Sequence, residues 1–235
     1  MFVYAVTNAH VVHQGGTFIR LNTTGGDTDV IEVPGPDWTT HSEGDDLAVA
    51  PIGLNAEQHR FMCIGLHQFL THDLVEEHGI GPGDETFLVG RFVNHDGRLK
   101  NVPSLRFGHI SMMPVEPIEN ILTGLKQESF LVESRSIGGY SGSPVFVHIP
   151  PFSPRPGEPV ITAQGKGQWL LGVDFCHLSN REPVREKPDN PVKEDWFVRA
   201  NVGMMGVIPA WRLSALLSSK ELETARREFE EENVG

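Results

Sequence analysis

The stretch GGYSGSPVF, residues 138–146, places Ser141 among small turn residues, with a second serine two positions later and then a proline and an apolar run. Glycine, serine and proline dominate turns for conformational reasons alone, so Ser141 can be interpreted as a small polar turn residue. It can also be interpreted as a nucleophile on a tight loop, with backbone N–H groups directed at the reacting atom. The choice depends on whether the chain also supplies a base and a carboxylate.

Two other short stretches supply these groups. His10 lies in VTNAHVV (residues 6–12), and Asp46 lies in GDDLAVAPI (residues 44–52) at the start of an apolar run. A serine hydroxyl needs a base within hydrogen-bond reach, and the base needs an acceptor that fixes its tautomer. Histidine suits the role of base because its ordinary pKa of ~6.5 lies near the working pH. Each residue alone would be interpreted as structural, but the order His, Asp, Ser is that of the chymotrypsin type.

Two alternatives arise at this point. Asp45 competes with Asp46 for the acceptor role, and Asp46 is preferred because it directly precedes the LAV run. An α/β-hydrolase would need the order Ser, Asp, His and a G-x-S-x-G elbow. Position 143 is serine, so the elbow motif is not matched.

The three stretches together resemble those of the trypsin-like (chymotrypsin-fold) serine peptidases, especially the bacterial Deg-like type. TNAHVV is similar to that family's block around the base, DDLAVA to the block around the carboxylate, and GYSGSPVF to the block around the nucleophile. WLLGVDFC (169–176) resembles the strand beside bound substrate. NVGMMGVIPAWRLSALL (201–217) resembles the closing strand and C-terminal helix, so the resemblance covers most of residues 3–220.

This resemblance implies an all-β fold of two packed six-stranded Greek-key β-barrels with a C-terminal α-helix. Residues 1–98 would form the first barrel, carrying His10 and Asp46, and residues 99–235 the second barrel, carrying Ser141, together with the helix. Ten short strand-like runs agree with an all-β architecture. The family's usual strand before VTNAH is missing here, so either the first barrel lacks its first strand or the true start lies upstream.

The resemblance also implies the catalytic roles. Ser141 would be the nucleophile, His10 the base and Asp46 the carboxylate that orients it, with the N–H groups of Gly139 and Ser141 forming the oxyanion hole. Glycines at 138 and 139 let the backbone turn its amides inward, where a Cβ would interfere. Tyr140 stands where digestive trypsin-like enzymes have an aspartate that pairs with a new N-terminus, so activation by that cleavage is not expected.

Substrate specificity is the least readable property of the sequence. Position relative to Ser141 places five residues near bound substrate: Arg135 and Ser136 at the pocket floor, Cys176 and His177 on its wall, and Asp174 nearby. Arg135 and His177 would favour an acidic substrate residue, which Asp174 would oppose. The alternative interpretation is that Arg135 points to solvent and Cys176 only fills space.

Composition limits the class of protein. The chain has 235 residues, 39% hydrophobic and 21% charged, with a formal net charge of −12. These values are typical of a globular protein, and the acidic charge disfavours nucleic-acid binding. Cys63 and Cys176 are expected to stay reduced, and no histidine cluster matches a zinc site. The sequence shows no signal peptide or membrane-length apolar run, so we expect a cytoplasmic location.

The sequence therefore predicts a serine endopeptidase that acts on a protein or peptide substrate without a cofactor or a metal. The main alternative is an inactive or truncated binding or regulatory module on a protease fold, because fold alone does not determine function. An effector domain of a larger bacterial defence or signalling system is a third possibility. Neither the oligomeric state nor the trigger can be predicted from these residues.

Overall fold

A computed structural model describes residues 2–91, 97, 100–120, 123–134, 139–151, 166–187, 190–191 and 196–233. The strands are β1 (Tyr4–Thr7), β2 (Phe18–Thr23), β3 (Thr28–Glu32), β4 (Thr39–Thr40), β5 (Ala48–Pro51), β6 (His59–Arg60), β7 (Glu85–Arg91), β8 (Pro103–Met112), β9 (Ile118–Glu119), β10 (Lys126–Gln127), β11 (Phe130–Ser134), β12 (Pro144–Ile149), β13 (Gly167–Pro183), β14 (Arg185–Lys187), β15 (Asn190–Pro191) and β16 (Phe197–Pro209). The helices are α1 (Ala9–His13), α2 (His72–His78), α3 (Ala210–Leu217) and α4 (Lys220–Asn233).

One closed antiparallel barrel forms the centre of the fold. Its six strands follow the order β11-β16-β13-β12-β7-β8, and closure removes the free sheet edges. Alternating side chains of these strands fill the interior, for example Val145 and Val147 on β12 and Phe130 and Val132 on β11, all fully buried. The barrel includes β7, so it begins within the residue range predicted for the first unit.

The N-terminal part of the chain forms two small sheets rather than a closed barrel among the described residues. The sheets are three-stranded, in the orders β1-β5-β4 and β3-β2-β6. Strands β4 and β6 have two residues each, too short for the continuous pairing that closure requires. A separate small core lies between the sheets and includes Trp38, Ala48 and Ala50. The described part is thus mostly β, with one closed barrel and C-terminal helices, and the predicted second packed barrel is not seen there.

The helices follow the local sequence signals. The stretch THDLVEEHG predicts a helix after Thr71 that ends before Gly79, and α2 confirms both ends. The Thr71 side chain accepts a hydrogen bond from the Leu74 N–H at 3.2 Å, and Gly79 adopts the left-handed conformation with φ +59°. The amphipathic spacing of Leu213, Leu216 and Leu217 predicts a single C-terminal helix from about Trp211 to Glu231. The structure has two helices there, α3 and α4, which separate at residues 218–219. Across the described residues, none of the helices has the length and apolar character to cross a membrane.

Candidate active site

Strand pairing brings the histidine and aspartate motifs together. Strand β1 leads into α1, where His10 is the second residue, and Asp46 lies two residues before β5. Strands β1 and β5 pair antiparallel, with Thr7 opposite Ala48. Because residues just after β1 must therefore lie beside residues just before β5, the sheet places His10 next to Asp46.

His10 and Asp46 are joined by two hydrogen bonds, one of them short. His10 Nδ1 lies 2.6 Å from Asp46 Oδ2, and the His10 backbone N–H donates to Asp46 Oδ1 at 2.8 Å. The side chain of Asp46 is fully buried, while that of His10 is 13% exposed. Burial alone would raise the pKa of Asp46, but the hydrogen bonds from His10, together with one from Asn120, hold it below its usual value. Asp46 is therefore an ionised acceptor that orients the imidazole and leaves Nε2 directed away from it.

Asp45 has different partners. Its Oδ2 accepts a hydrogen bond from Arg212 Nε at 2.5 Å and lies 3.5 Å from His41 Nδ1. Arg212 on α3 also pairs with Glu43, so the C-terminal helix is tied to the loop that precedes β5. Of the two neighbouring aspartates, Asp46 is thus the one that contacts His10.

Three buried amide side chains surround Asp46, and two of them lie outside the sequence motifs. Asn8 Nδ2 donates to the Asp46 carbonyl at 2.8 Å, and Gln127 Oε1 accepts from the Asp46 N–H at 3.1 Å. Asn120 Nδ2 donates to Asp46 Oδ2 at 3.4 Å. Asn8 belongs to the quoted TNAH block, but Asn120 and Gln127 lie in a stretch without a motif. Asn120 and Gln127 reach Asp46 through the hairpin of β9 and β10, a contact that exists only in the folded chain.

Ser141 lies on a tight turn. The Ser143 N–H donates to the Tyr140 carbonyl at 2.9 Å, which makes Ser141 and Gly142 the central residues of a four-residue turn. Gly142 has φ +85°, as the third position of a type II turn requires. Ser141 is partly exposed. No hydrogen bond joins its hydroxyl to His10 within the described part of the chain, so the contact between nucleophile and base stays a prediction.

The serine turn packs directly on the strand that precedes His10. A Cβ on Gly142 would lie 2.6 Å from Thr7 Oγ1 and 3.2 Å from Thr7 Cα. Thr7 ends β1, three residues before His10. The absence of a side chain at Gly142 therefore allows the Ser141 turn to approach the His10 segment.

Hydrogen bonds to Asp174 and to Ser104 connect the turn to the barrel. The Gly142 N–H donates to the Asp174 carbonyl, and the Asp174 N–H donates to the Ser143 carbonyl, both at 2.9 Å. Tyr140 is 1% exposed, and its hydroxyl lies 2.9 Å from Ser104 Oγ. These contacts anchor both sides of Ser141 to the barrel.

The predicted oxyanion hole is partly described. Gly139 has φ +98°, a conformation that favours glycine, and it precedes the buried Tyr140. Among the described hydrogen bonds, neither the Gly139 N–H nor the Ser141 N–H is a donor. Gly138 lies outside the described residues, as do Arg135 and Ser136 of the predicted substrate pocket.

The other predicted substrate-binding residues lie on β13. Cys176 is partly buried, and burial raises the pKa of its thiol to about 12, so it stays a neutral group. His177 is exposed, and Asp174 is buried directly behind the serine turn. Within the described ranges, no group of three or more His, Cys, Asp or Glu side chains is arranged to hold a metal ion.

Comparison with known proteins gives no family for this chain. No protein-family model matches the sequence, and no curated protein matches it closely enough to count as a relative. A proposal on function therefore depends on the arrangement of His10, Asp46 and Ser141.

The Gly142–Thr7 contact leads to a test with a matched control. We expect Gly142→Ala to lower the stability of the protein by ~1–3 kcal/mol, and by more than the control, because alanine is strained at positive φ and its Cβ would also crowd Thr7 and misplace the serine turn. Gly83→Ala is the control, since Gly83 has φ +94° but no atom lies within 4 Å of the position that a Cβ would take there. Urea unfolding and the rate of labelling by a fluorophosphonate measure the two effects. Equal losses in both variants would show that crowding against Thr7 has no influence.

Proposed function

We propose that the chain is a serine endopeptidase, with Ser141 as nucleophile, His10 as general base and Asp46 as the orienting carboxylate. The observation that carries this proposal is the buried Asp46 carboxylate 2.6 Å from His10 Nδ1, beside a turn that presents Ser141. A purely structural histidine does not need a buried carboxylate at this distance. A base that must hold one tautomer and become charged does.

The proposed reaction follows from the positions of these groups. Ser141 Oγ attacks the carbonyl carbon of the scissile peptide while its proton passes to His10 Nε2. The carbonyl oxygen takes up the negative charge and is stabilised by the N–H groups of Gly139 and Ser141. His10 then gives its proton to the leaving amine, which leaves an acyl group on Ser141. A water molecule, deprotonated by His10, releases the acyl group as a carboxylic acid and restores the serine hydroxyl.

Two features of the site support this chemistry. Asp46 is ionised and anchored by three hydrogen-bond donors, so it can stabilise a positive imidazolium without moving. Gly139 and Ser141 carry backbone N–H groups that donate to none of the described acceptors, on the same turn as the nucleophile. No other group is required for peptide hydrolysis by this route.

The experiment that tests the proposal is labelling of the purified protein with a fluorophosphonate, which requires an activated serine and not merely an exposed one. We expect labelling of the wild type, with the adduct located on Ser141 by peptide mass spectrometry, and none for Ser141→Ala or His10→Ala. Ser143→Ala is the matched control, since it removes a neighbouring hydroxyl but keeps the backbone of the turn. An adduct on any other serine, or labelling that survives in His10→Ala, would contradict the proposal.

A second candidate function is a protease-fold module that binds proteins without cleaving them. Two observations favour it: Ser141 has no hydrogen bond to His10 in the described residues, and only one barrel closes there. A folded, monodisperse sample that resists labelling would support this alternative.

A further inference from the structure

A short hairpin between β8 and β11 contacts the aspartate of the proposed triad. Its strands, β9 and β10, pair with Glu119 opposite Lys126 and Ile118 opposite Gln127. The hairpin supplies two buried amide side chains to the Asp46 segment: Asn120, which is 0% exposed, and Gln127, which is 2% exposed. A buried polar side chain is costly unless it is hydrogen-bonded, so both positions need an explanation.

Asn120 is held rigidly by its own backbone. Its N–H donates to the Leu125 carbonyl at 2.8 Å, and its carbonyl accepts from the Gly124 N–H at 2.7 Å. Both the N–H and the carbonyl of Asn120 are thus hydrogen-bonded within the hairpin. Its side chain points at Asp46, and Asn120 Nδ2 lies 3.4 Å from Asp46 Oδ2. This is the same oxygen that lies 2.6 Å from His10 Nδ1.

Gln127 restrains the same residue from a second direction. Its Oε1 accepts the backbone N–H of Asp46 at 3.1 Å. The hairpin thus contacts both the main chain and the carboxylate of Asp46. The contact spans 74 residues between Asn120 and Asp46.

We propose that Asn120 is a positioning residue, which acts through Asp46 to keep the carboxylate directed at His10. The inference rests on the proposed function, since Asp46 orients a catalytic base only if the site is catalytic. Asn120 is suited to this role because its amide is a neutral donor. It binds the ionised carboxylate at Oδ2 without competing with His10 for a proton.

Two substitutions separate this role from simple packing. Asn120→Leu keeps a similar size and removes the donor, whereas Asn120→Asp keeps the shape and replaces the donor by a second carboxyl group. Among the described residues, His10 and Cys176 are the titratable groups that interact with Asp46, and the Cys176 thiol, with a pKa of about 12, stays neutral over the range tested. Asp174, which lies behind the Ser141 turn, is common to wild type and variants, so the ratio of the variant rate to the wild-type rate at each pH reports on the Asp46–His10 pair and the new carboxyl.

The expected results differ in their pH dependence. We expect Asn120→Leu to lower the second-order rate constant for fluorophosphonate labelling by ~10-fold at every pH, since a hydrogen bond to a charged group is lost. For Asn120→Asp the two carboxyl groups share one proton at low pH, which restores a donor, so the loss should grow as the pH rises. Urea unfolding of both variants establishes that they are folded.

A second readout does not require activity. The proton between His10 Nδ1 and Asp46 Oδ2 should give a low-field signal in the ¹H NMR spectrum of the wild type, and this signal should weaken or move in Asn120→Leu. If the wild type is not labelled but the low-field signal changes in Asn120→Leu, the proposed function is refuted, while the effect of Asn120 on the Asp46–His10 hydrogen bond is supported. Equal, pH-independent losses in both variants with an unchanged signal would overturn the positioning role, as would full activity in both.

Discussion

We expect Asp46→Asn to lower the second-order rate constant for fluorophosphonate labelling by ~10⁴-fold at neutral pH, which is the size of loss that follows when the carboxylate of a catalytic triad becomes an amide. An asparagine at this position can turn its Nδ2 group toward His10 Nδ1, which forces the imidazole into the tautomer that carries its proton on Nε2. That nitrogen can then no longer accept the proton of Ser141. The neutral amide also stabilises a positive imidazolium less than the buried carboxylate does.

Asp45→Asn is the matched control for this prediction. Asp45 is the adjacent residue and is also buried, but it contacts Arg212 and His41 rather than His10. We expect Asp45→Asn to weaken the tie between α3 and the loop before β5 and to leave the labelling rate within ~10-fold of wild type. The proposed triad would be contradicted if Asp45→Asn abolished labelling and Asp46→Asn had little effect on it, because Asp45 would then be the functional carboxylate.

Local signals in the sequence identify the features that depend on a few neighbouring residues. Thr71 and Gly79 predict the ends of α2 because a threonine cap and a left-handed glycine act within one turn of helix. Asp46 could be preferred over Asp45 on its place before an apolar run, and the strand that follows brings it to His10. The helix ends are confirmed because their physical cause is short-range, whereas the contact of Asp46 with His10 also needs the pairing of β1 with β5, and the catalytic role of Asp46 stays a prediction.

Features that depend on distant pairing could not be read in this way. Asn120 and Gln127 contact Asp46 only because their hairpin packs against the Asp46 segment in the folded chain, and neither belongs to a recognisable motif. Closure of a barrel depends on strand length and register around its whole circumference, which short apolar runs do not specify. The prediction of two barrels depended on the family resemblance and not on the apolar runs themselves. Only one closed barrel is observed in the described residues.

Asp174 provides the second large expected effect, on stability rather than activity. Its side chain is 1% exposed, and its Oδ1 has no hydrogen-bond partner among the described residues. Burial raises the pKa of this carboxyl to about 7, against a smaller opposing influence from the backbone N–H of Cys176. The residue lies directly behind the Ser141 turn, so its protonation state matters for the part of the molecule that carries the nucleophile.

The sign of the pH dependence follows from linkage. An unfolded aspartate has a pKa of ~3.9, so between about pH 4 and pH 7 the folded state binds the proton that the unfolded state has lost. The free energy of unfolding therefore falls as the pH rises through this range. A difference of about three pKa units corresponds to at most ~4 kcal/mol at pH 8, and relaxation around the buried charge reduces this value.

Asp174→Asn should remove this decline, because asparagine does not titrate. Any cost of burying the amide is independent of pH, so the slope of stability against pH isolates the carboxyl from changes in packing. The measurement is urea unfolding of wild type and variant at intervals from pH 4 to pH 8. Asp46→Asn is the control that should keep the decline between pH 4 and pH 8: the pKa of Asp46 is lowered in the folded state, so its own contribution to stability changes only below about pH 4. Parallel curves for wild type and Asp174→Asn would mean that the Asp174 carboxyl is already ionised in the folded protein near pH 5, which would contradict the prediction.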